Sequence, residues 1–96
     1  MLTIKQIKST VAKIGKKYGI KSAYLFGSYA NKTATEKSDV DILIDKGELR
    51  GYLQLNGFRL DLSRELGTDV DVVTTKGAPQ KFLDKISLNR ILLYGA

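Results

Sequence analysis

Ile4, Ile7, Val11, Ile14 and Tyr18 recur at spacings of three and four, one apolar stripe that predicts a helix over residues 3–18. Lys16 and Lys17 fall in its last turn, and Gly19 follows as a left-handed cap. Residues 20–26 read as a short strand ending at Gly27. Residues 28–31 read as the first turn of a short helix with Ser28 as its cap. A polar loop over 33–38 comes next. Val40, Ile42 and Ile44 then alternate with Asp39, Asp41 and Leu43, the period of a strand, and Asp45-Lys46-Gly47 ends it. Leu55, Phe58, Leu62 and Leu66 restore helical spacing over 49–66, although Gly51 and Gly57 each weaken that helix by about 1 kcal/mol relative to Ala. Gly67 stops it, and residues 70–74 form a third strand. Pro79 fits the first turn of a last helix whose Phe82, Leu83 and Ile86 face inward. Ile91-Leu92-Leu93-Tyr94 suits either helix or an added strand. The order α-β-α-β-α-β-α predicts an α/β (α+β) fold, a small sheet packed with helices. With no linker, repeat or low-complexity stretch, residues 1–96 read as a single domain. Sequence order does not fix which strands are parallel.

Composition narrows the chemistry. There is no Cys and no His, so disulfides, thiolate zinc sites, cysteine nucleophiles and imidazole bases are excluded. Catalysis must run on Asp, Glu, Lys, Tyr, Ser and bound metal, which favours hard, oxygen-ligated cations such as magnesium. Hydrophobic residues make up 43% of the 96, enough for a small core that a partner subunit would help. The net charge is +6, and it is unevenly spread: the first 35 residues hold seven Lys and no acid. A basic half suits a polyanion or an acidic protein partner, and equally a solvated lysine face. No apolar run approaches a membrane span, and Met1 to Lys5 lacks the pattern of a signal peptide, so a soluble cytoplasmic protein is expected.

The polar positions that interrupt the strands carry the function. Asp39 and Asp41 lie two apart on one strand, so both side chains share a face. Two carboxylates this close repel each other, and a divalent cation is the natural compensation. Asp71 sits between Val70 and Val72 on another strand, and if the two strands are neighbours it joins the cluster. Three carboxylates can hold two metals roughly 3.5–4 Å apart, the clamp for in-line displacement at phosphorus. Gly27 lets backbone approach a phosphate, and the Ser28 hydroxyl can donate to one. Lys32 and Lys37 lie in the intervening loop and could add charge to a triphosphate. Asp39-Val40-Asp41 does not open an EF-hand, because Leu43 occupies the next ligand position; no P-loop or dinucleotide fingerprint is present.

Gly27-Ser28, ten residues, Asp39-Val40-Asp41 and a later Asp71 on a strand together resemble the minimal nucleotidyltransferase (MNT) domain of the polymerase-beta-like nucleotidyltransferase superfamily. The likeness covers essentially the whole chain. It implies the polymerase-beta-like fold with a small mixed sheet, and transfer of a nucleoside monophosphate from a triphosphate, ATP in the first instance, with magnesium. By position, Asp39 and Asp41 would bridge the metals, Asp71 would complete the acceptor-side metal, and Gly27, Ser28 and Lys32 would hold the nucleotide. The resemblance also implies an antitoxin acting on a helical HEPN toxin, in a hetero-oligomer, by adding AMP to a tyrosine. Asn31-Lys32 stand where many relatives have Arg-Gly; lysine supplies charge without the bidentate fork. Two other readings stand beside this one: a non-catalytic antitoxin that covers its partner, and a binder or transferase directed at nucleic acid. Tyr24 and Phe26 alternate on a core strand and make no stacking platform for single strands. Tyr52 and Leu53 are either a contact surface or core.

Overall fold

The computed structural model describes residues 1–95. Its elements are α1 (Ile4–Tyr18), β1 (Ser22–Phe26), α2 (Gly27–Ala30), β2 (Val40–Asp45), α3 (Gly51–Leu66), β3 (Val70–Thr74), α4 (Gln80–Ile86) and β4 (Ile91–Tyr94). The sheet order is β3-β2-β1-β4. β1 runs antiparallel to both neighbours, and β2 and β3 are parallel, joined through α3. The expected mixed sheet packed with helices is therefore observed.

Local chemistry sets the first helix. Thr3 and Gln6 exchange side-chain and backbone bonds of 2.8 and 3.1 Å, a capping box that satisfies two orphan N–H groups. At the other end Gly19 adopts φ 73°, and the Ile20 N–H returns to the Gly15 carbonyl. That closure takes Ile20 out of the ladder, so β1 starts at Ser22 rather than at residue 20. Ile20 is instead buried against the core.

Ile7, Val11 and Ile14 of α1 and Phe58, Leu62 and Leu66 of α3 cover one sheet face, packing with Ala23, Leu25, Ile42, Ile44 and Val70. Tyr18 locks the two helices together. Its hydroxyl donates to Asp61 at 2.7 Å, and its ring meets Phe58 edge-on at 5.6 Å. Lys13 and Lys17 also reach across to Glu65 and Asp61. Part of the basic face of α1 thus serves this helix pair.

By alternation, Tyr24, Phe26, Asp41, Leu43, Asp71 and Val73 point to the opposite sheet face. α4 touches this face through Phe82, edge-on to Phe26 at 5.4 Å. The guanidinium of Arg90 lies 4.2 Å from the centre of the Tyr24 ring. Tyr24 and Phe26 are half-buried here, not enclosed in the main core.

Three further expectations change, and one open choice is settled. Ser28 is not a cap: Phe26 holds that position without a side-chain bond, and α2 already begins at Gly27. Pro79 stands just before α4 as its cap, with ψ 146°, and not in its first turn. Phe82, Leu83 and Ile86 are only half-buried, because α4 meets the sheet at its open face. Ile91–Tyr94 is a strand, since the free edge of β1 offers it a ladder. Among the described residues no helix is long and apolar enough to cross a membrane.

Candidate active site

The antiparallel register brings three strand ends to one edge of the open face. Phe26, the last residue of β1, pairs with Asp41, and Asp41 pairs with Asp71 across the parallel ladder. Directly opposed residues on adjacent strands point the same way, so Asp41 and Asp71 stand side by side. Asp39 lies just outside β2 and is exposed. The loop before it is tied down by Ser38, whose hydroxyl accepts the Thr35 N–H at 2.8 Å. The Val40 N–H bonds the Asp69 carbonyl at 3.0 Å and fixes where β2 begins.

Asp41 is the strained member. Its carboxyl is raised from 3.8 to about 6, first by burial, then by the charges of Asp71 and Asp39, then by a hydrogen bond with Asp71. Two carboxylates can share a hydrogen bond only by holding a proton between them.

This shift fixes the sign of a pH effect in the metal-free chain. Below about pH 4 both folded and unfolded states hold the proton, and Asp41 is neutral to stability. As pH rises from there through 6, the unfolded chain ionises first and the folded state loses stability. The full shift corresponds to about 3 kcal/mol. Solvent access to this half-buried carboxyl screens that to about 1–2 kcal/mol. Urea titrations of wild type and Asp41→Asn in chelator check this: the stability gap in favour of the variant should open between about pH 4 and 7.

Gly27 is required by the same carboxylate. It has φ 73°, and a Cβ there would overlap the Asp41 carboxylate oxygen and lie 3.0 Å from its Cγ. Sequence reasoning assigned this glycine to phosphate approach; the structure adds the seat of Asp41. Ser28 follows in the first turn of α2, half-buried, with no side-chain hydrogen bond among the described residues. Its carbonyl accepts the Thr33 N–H at 2.9 Å, folding the next turn back.

Lys32 lies exposed in that turn with φ 62°, a left-handed conformation for a residue with a Cβ. This is the position where the resemblance places glycine. Left-handed backbone costs an L-residue about 1–2 kcal/mol, offset in part by the extra freedom glycine has when unfolded. Lys32→Gly should therefore raise stability by about 0.5–1 kcal/mol, read as a higher urea midpoint at unchanged slope.

The donor chemistry fits a hard divalent cation: carboxylate oxygens that repel one another, with no His or Cys in the chain. Among the described residues no three acidic side chains are gathered into a finished metal cage. Asp41 and Asp71 converge, and Asp39 flanks them close enough for its charge to be felt. The aromatic pair Phe26–Phe82 beside Asp41 was not foreseen, because it depends on α4 folding over β1. A cavity of about 340 Å³ lies elsewhere, around Asp45, Lys46, Arg50 and Lys76, at the other end of β2.

The family profile for polymerase beta nucleotidyltransferase matches residues 6–96. The chain belongs to this family. A Methanocaldococcus jannaschii protein named "Putative protein adenylyltransferase MJ0128" is 41% identical over 98 residues, covering 98% of this chain and 99% of that protein. The protein adenylyltransferase MntA of Thermococcus cleftensis is 35% identical over 77 residues, covering 76% of this chain and 78% of its own. In fold, the chain is similar to a solved structure of a tri-AMPylated Shewanella oneidensis HEPN toxin in complex with MNT antitoxin. There the TM-score is 0.76 at 20% identity, over 98% of this chain and 74% of that one. The chain is thus a nucleotidyltransferase whose homologues are named for adenylyl transfer to protein.

Proposed function

We propose that this chain moves AMP from ATP to a tyrosine hydroxyl of a partner HEPN toxin and so acts as its antitoxin. The observation that carries this reading is the Asp41–Asp71 pair, held against Gly27 at the edge of the open sheet face. A binding-only module has no need of two carboxylates forced together at a cost to the fold. The relatives named for protein adenylylation point the same way. In this account residues 1–96 work as one minimal nucleotidyltransferase domain, and the partner supplies the acceptor surface.

Asp39, Asp41 and Asp71 would hold magnesium. Bound there, it would neutralise the triphosphate and acidify the acceptor hydroxyl. Ser28 donates its hydroxyl to a phosphate oxygen, while Gly27 keeps the Asp41 carboxylate in place. Lys32 adds charge beside the triphosphate from the turn after α2. The acceptor oxygen attacks the α-phosphorus; the new O–P bond forms as the bond to the bridging oxygen breaks, and pyrophosphate leaves. The hydroxyl proton departs to solvent on the exposed Asp71 side.

Equilibrium binding of ATP tests the site without a partner. ATP should bind in magnesium and be lost both in chelator and in the Asp39→Asn/Asp41→Asn variant. Equal binding in all three conditions would place the nucleotide elsewhere and defeat this assignment.

A further inference from the structure

The first turn of α3 carries a surface that the transfer chemistry does not use. Tyr52 and Leu53, consecutive in the chain, are 79% and 87% exposed on a helix whose later turns bury Phe58, Leu62 and Leu66. Large apolar groups left this open on adjacent positions mark an interaction site more often than a single exposed leucine does. Gly51, the residue before Tyr52, lines a cavity at the C-terminal ends of β2 and β3 together with Lys46, Arg50 and Lys76. None of these three cations is in an ion pair among the described residues. The one acid there, Asp45, already accepts the Gly47 N–H at 3.4 Å.

We propose that Tyr52, Leu53 and this basic groove form the docking surface for the partner toxin, and that they receive an acidic, apolar-bearing face of it. This rests on the functional reading above and names the surface that reading requires. Charge complementarity chooses the occupant. A symmetric dimer through the same patch would set the cations of one copy against those of the other. A nucleic acid would use the cations but would leave Leu53 in water. A protein face carrying both acids and apolar side chains satisfies both halves of the patch.

The location has a consequence. Lys46, just past the end of β2, is five residues from Asp41, about 17 Å at the rise of a strand. Docking and transfer therefore use opposite ends of the sheet. A partner held at the groove leaves the carboxylates open to its acceptor tyrosine, and binding becomes separable from catalysis.

The test measures affinity for the partner HEPN toxin, purified separately, by calorimetry on five chains. These are wild type, Leu53→Glu, Lys46→Glu/Lys76→Glu, Asp41→Asn and Leu88→Glu. Leu88, 82% exposed after α4, is the control for an exposed leucine elsewhere. Leu53→Glu should weaken binding by about 30-fold, as loss of an apolar anchor does. The double lysine variant should weaken it by about tenfold, and added salt should weaken wild-type binding in the same sense. Asp41→Asn and Leu88→Glu should bind as wild type does. Circular dichroism confirms that each variant is folded, as the exposure of Leu53 leads one to expect. If Leu53→Glu binds as wild type does, the docking assignment is wrong while the partner reading stands. If the wild-type chain does not bind the toxin, the partner reading itself fails, and the assignment with it. If short single-stranded RNA binds the groove and displaces the toxin, with Leu53→Glu unaffected, the patch is a nucleic-acid surface and the proposal is overturned.

Discussion

Asp41→Asn is expected to lower nucleotidyl transfer by about a thousandfold or more, because it removes the half-buried carboxylate from the set proposed to hold magnesium. The same change should stabilise the metal-free chain at neutral pH by about 1–2 kcal/mol, since it abolishes the repulsion that raises this carboxyl. The opposite signs are the point. A residue kept for packing would lose stability when altered, and its activity would fall only as the folded fraction falls. Asp41 is expected to gain stability while losing activity, the trade of a group held in place for chemistry. Denaturant curves and transfer rates on the same preparation decide it. A variant that is both less stable and still active would show Asp41 to be structural.

Gly27→Ala should also damage transfer, less severely and through a different route. The backbone there is left-handed, which costs alanine about 1–2 kcal/mol. The added methyl would also push the Asp41 carboxylate from its seat. Together these predict a loss of about 2–3 kcal/mol in stability. They also predict a fall of about a hundredfold in transfer, since a displacement near 1 Å is enough for that. Gly67→Ala is the control. Gly67 has the same left-handed backbone, with φ 69°, but nothing lies within 4 Å of its absent Cβ. It should lose stability alone. If Gly67→Ala and Gly27→Ala behave alike in the transfer assay, the contact with Asp41 has no catalytic meaning.

Much of the fold could be read from periodicity, and the particular residues show why. The stripe from Ile4 to Tyr18 repeats often enough to identify α1 and its face. β3 has the ends its alternation and turn residues predict, whereas β2 runs Val40–Asp45, one residue later at each end than the alternation from Asp39 to Ile44 suggests. The four apolar residues of Ile91–Tyr94 fit either period, and only the open edge of β1 decides for strand. Ser28 resembled a cap by residue type, but the left-handed Gly27 starts the helix one residue early. Tyr52 and Leu53 could not be assigned because α3 has an exposed first turn that its apolar spacing does not reveal.

The site was legible to a lesser depth. Spacing placed Asp39 and Asp41 on one face, but the meeting of Asp41 with Asp71 depends on the parallel pairing of β2 with β3. That pairing is a property of the crossover through α3 and leaves no trace in the local sequence. The seat that Gly27 makes for Asp41 likewise exists only once β1 and β2 are antiparallel.

The most direct measurement incubates the chain, the HEPN toxin proposed as its partner, magnesium and ATP, and follows the intact mass of the toxin. The account predicts a gain of one or more AMP units on tyrosine, absent with Asp39→Asn/Asp41→Asn and absent in chelator. A toxin that stays unmodified while bound and silenced equally by wild type and by that variant would contradict it, and would make this chain an antitoxin by contact alone.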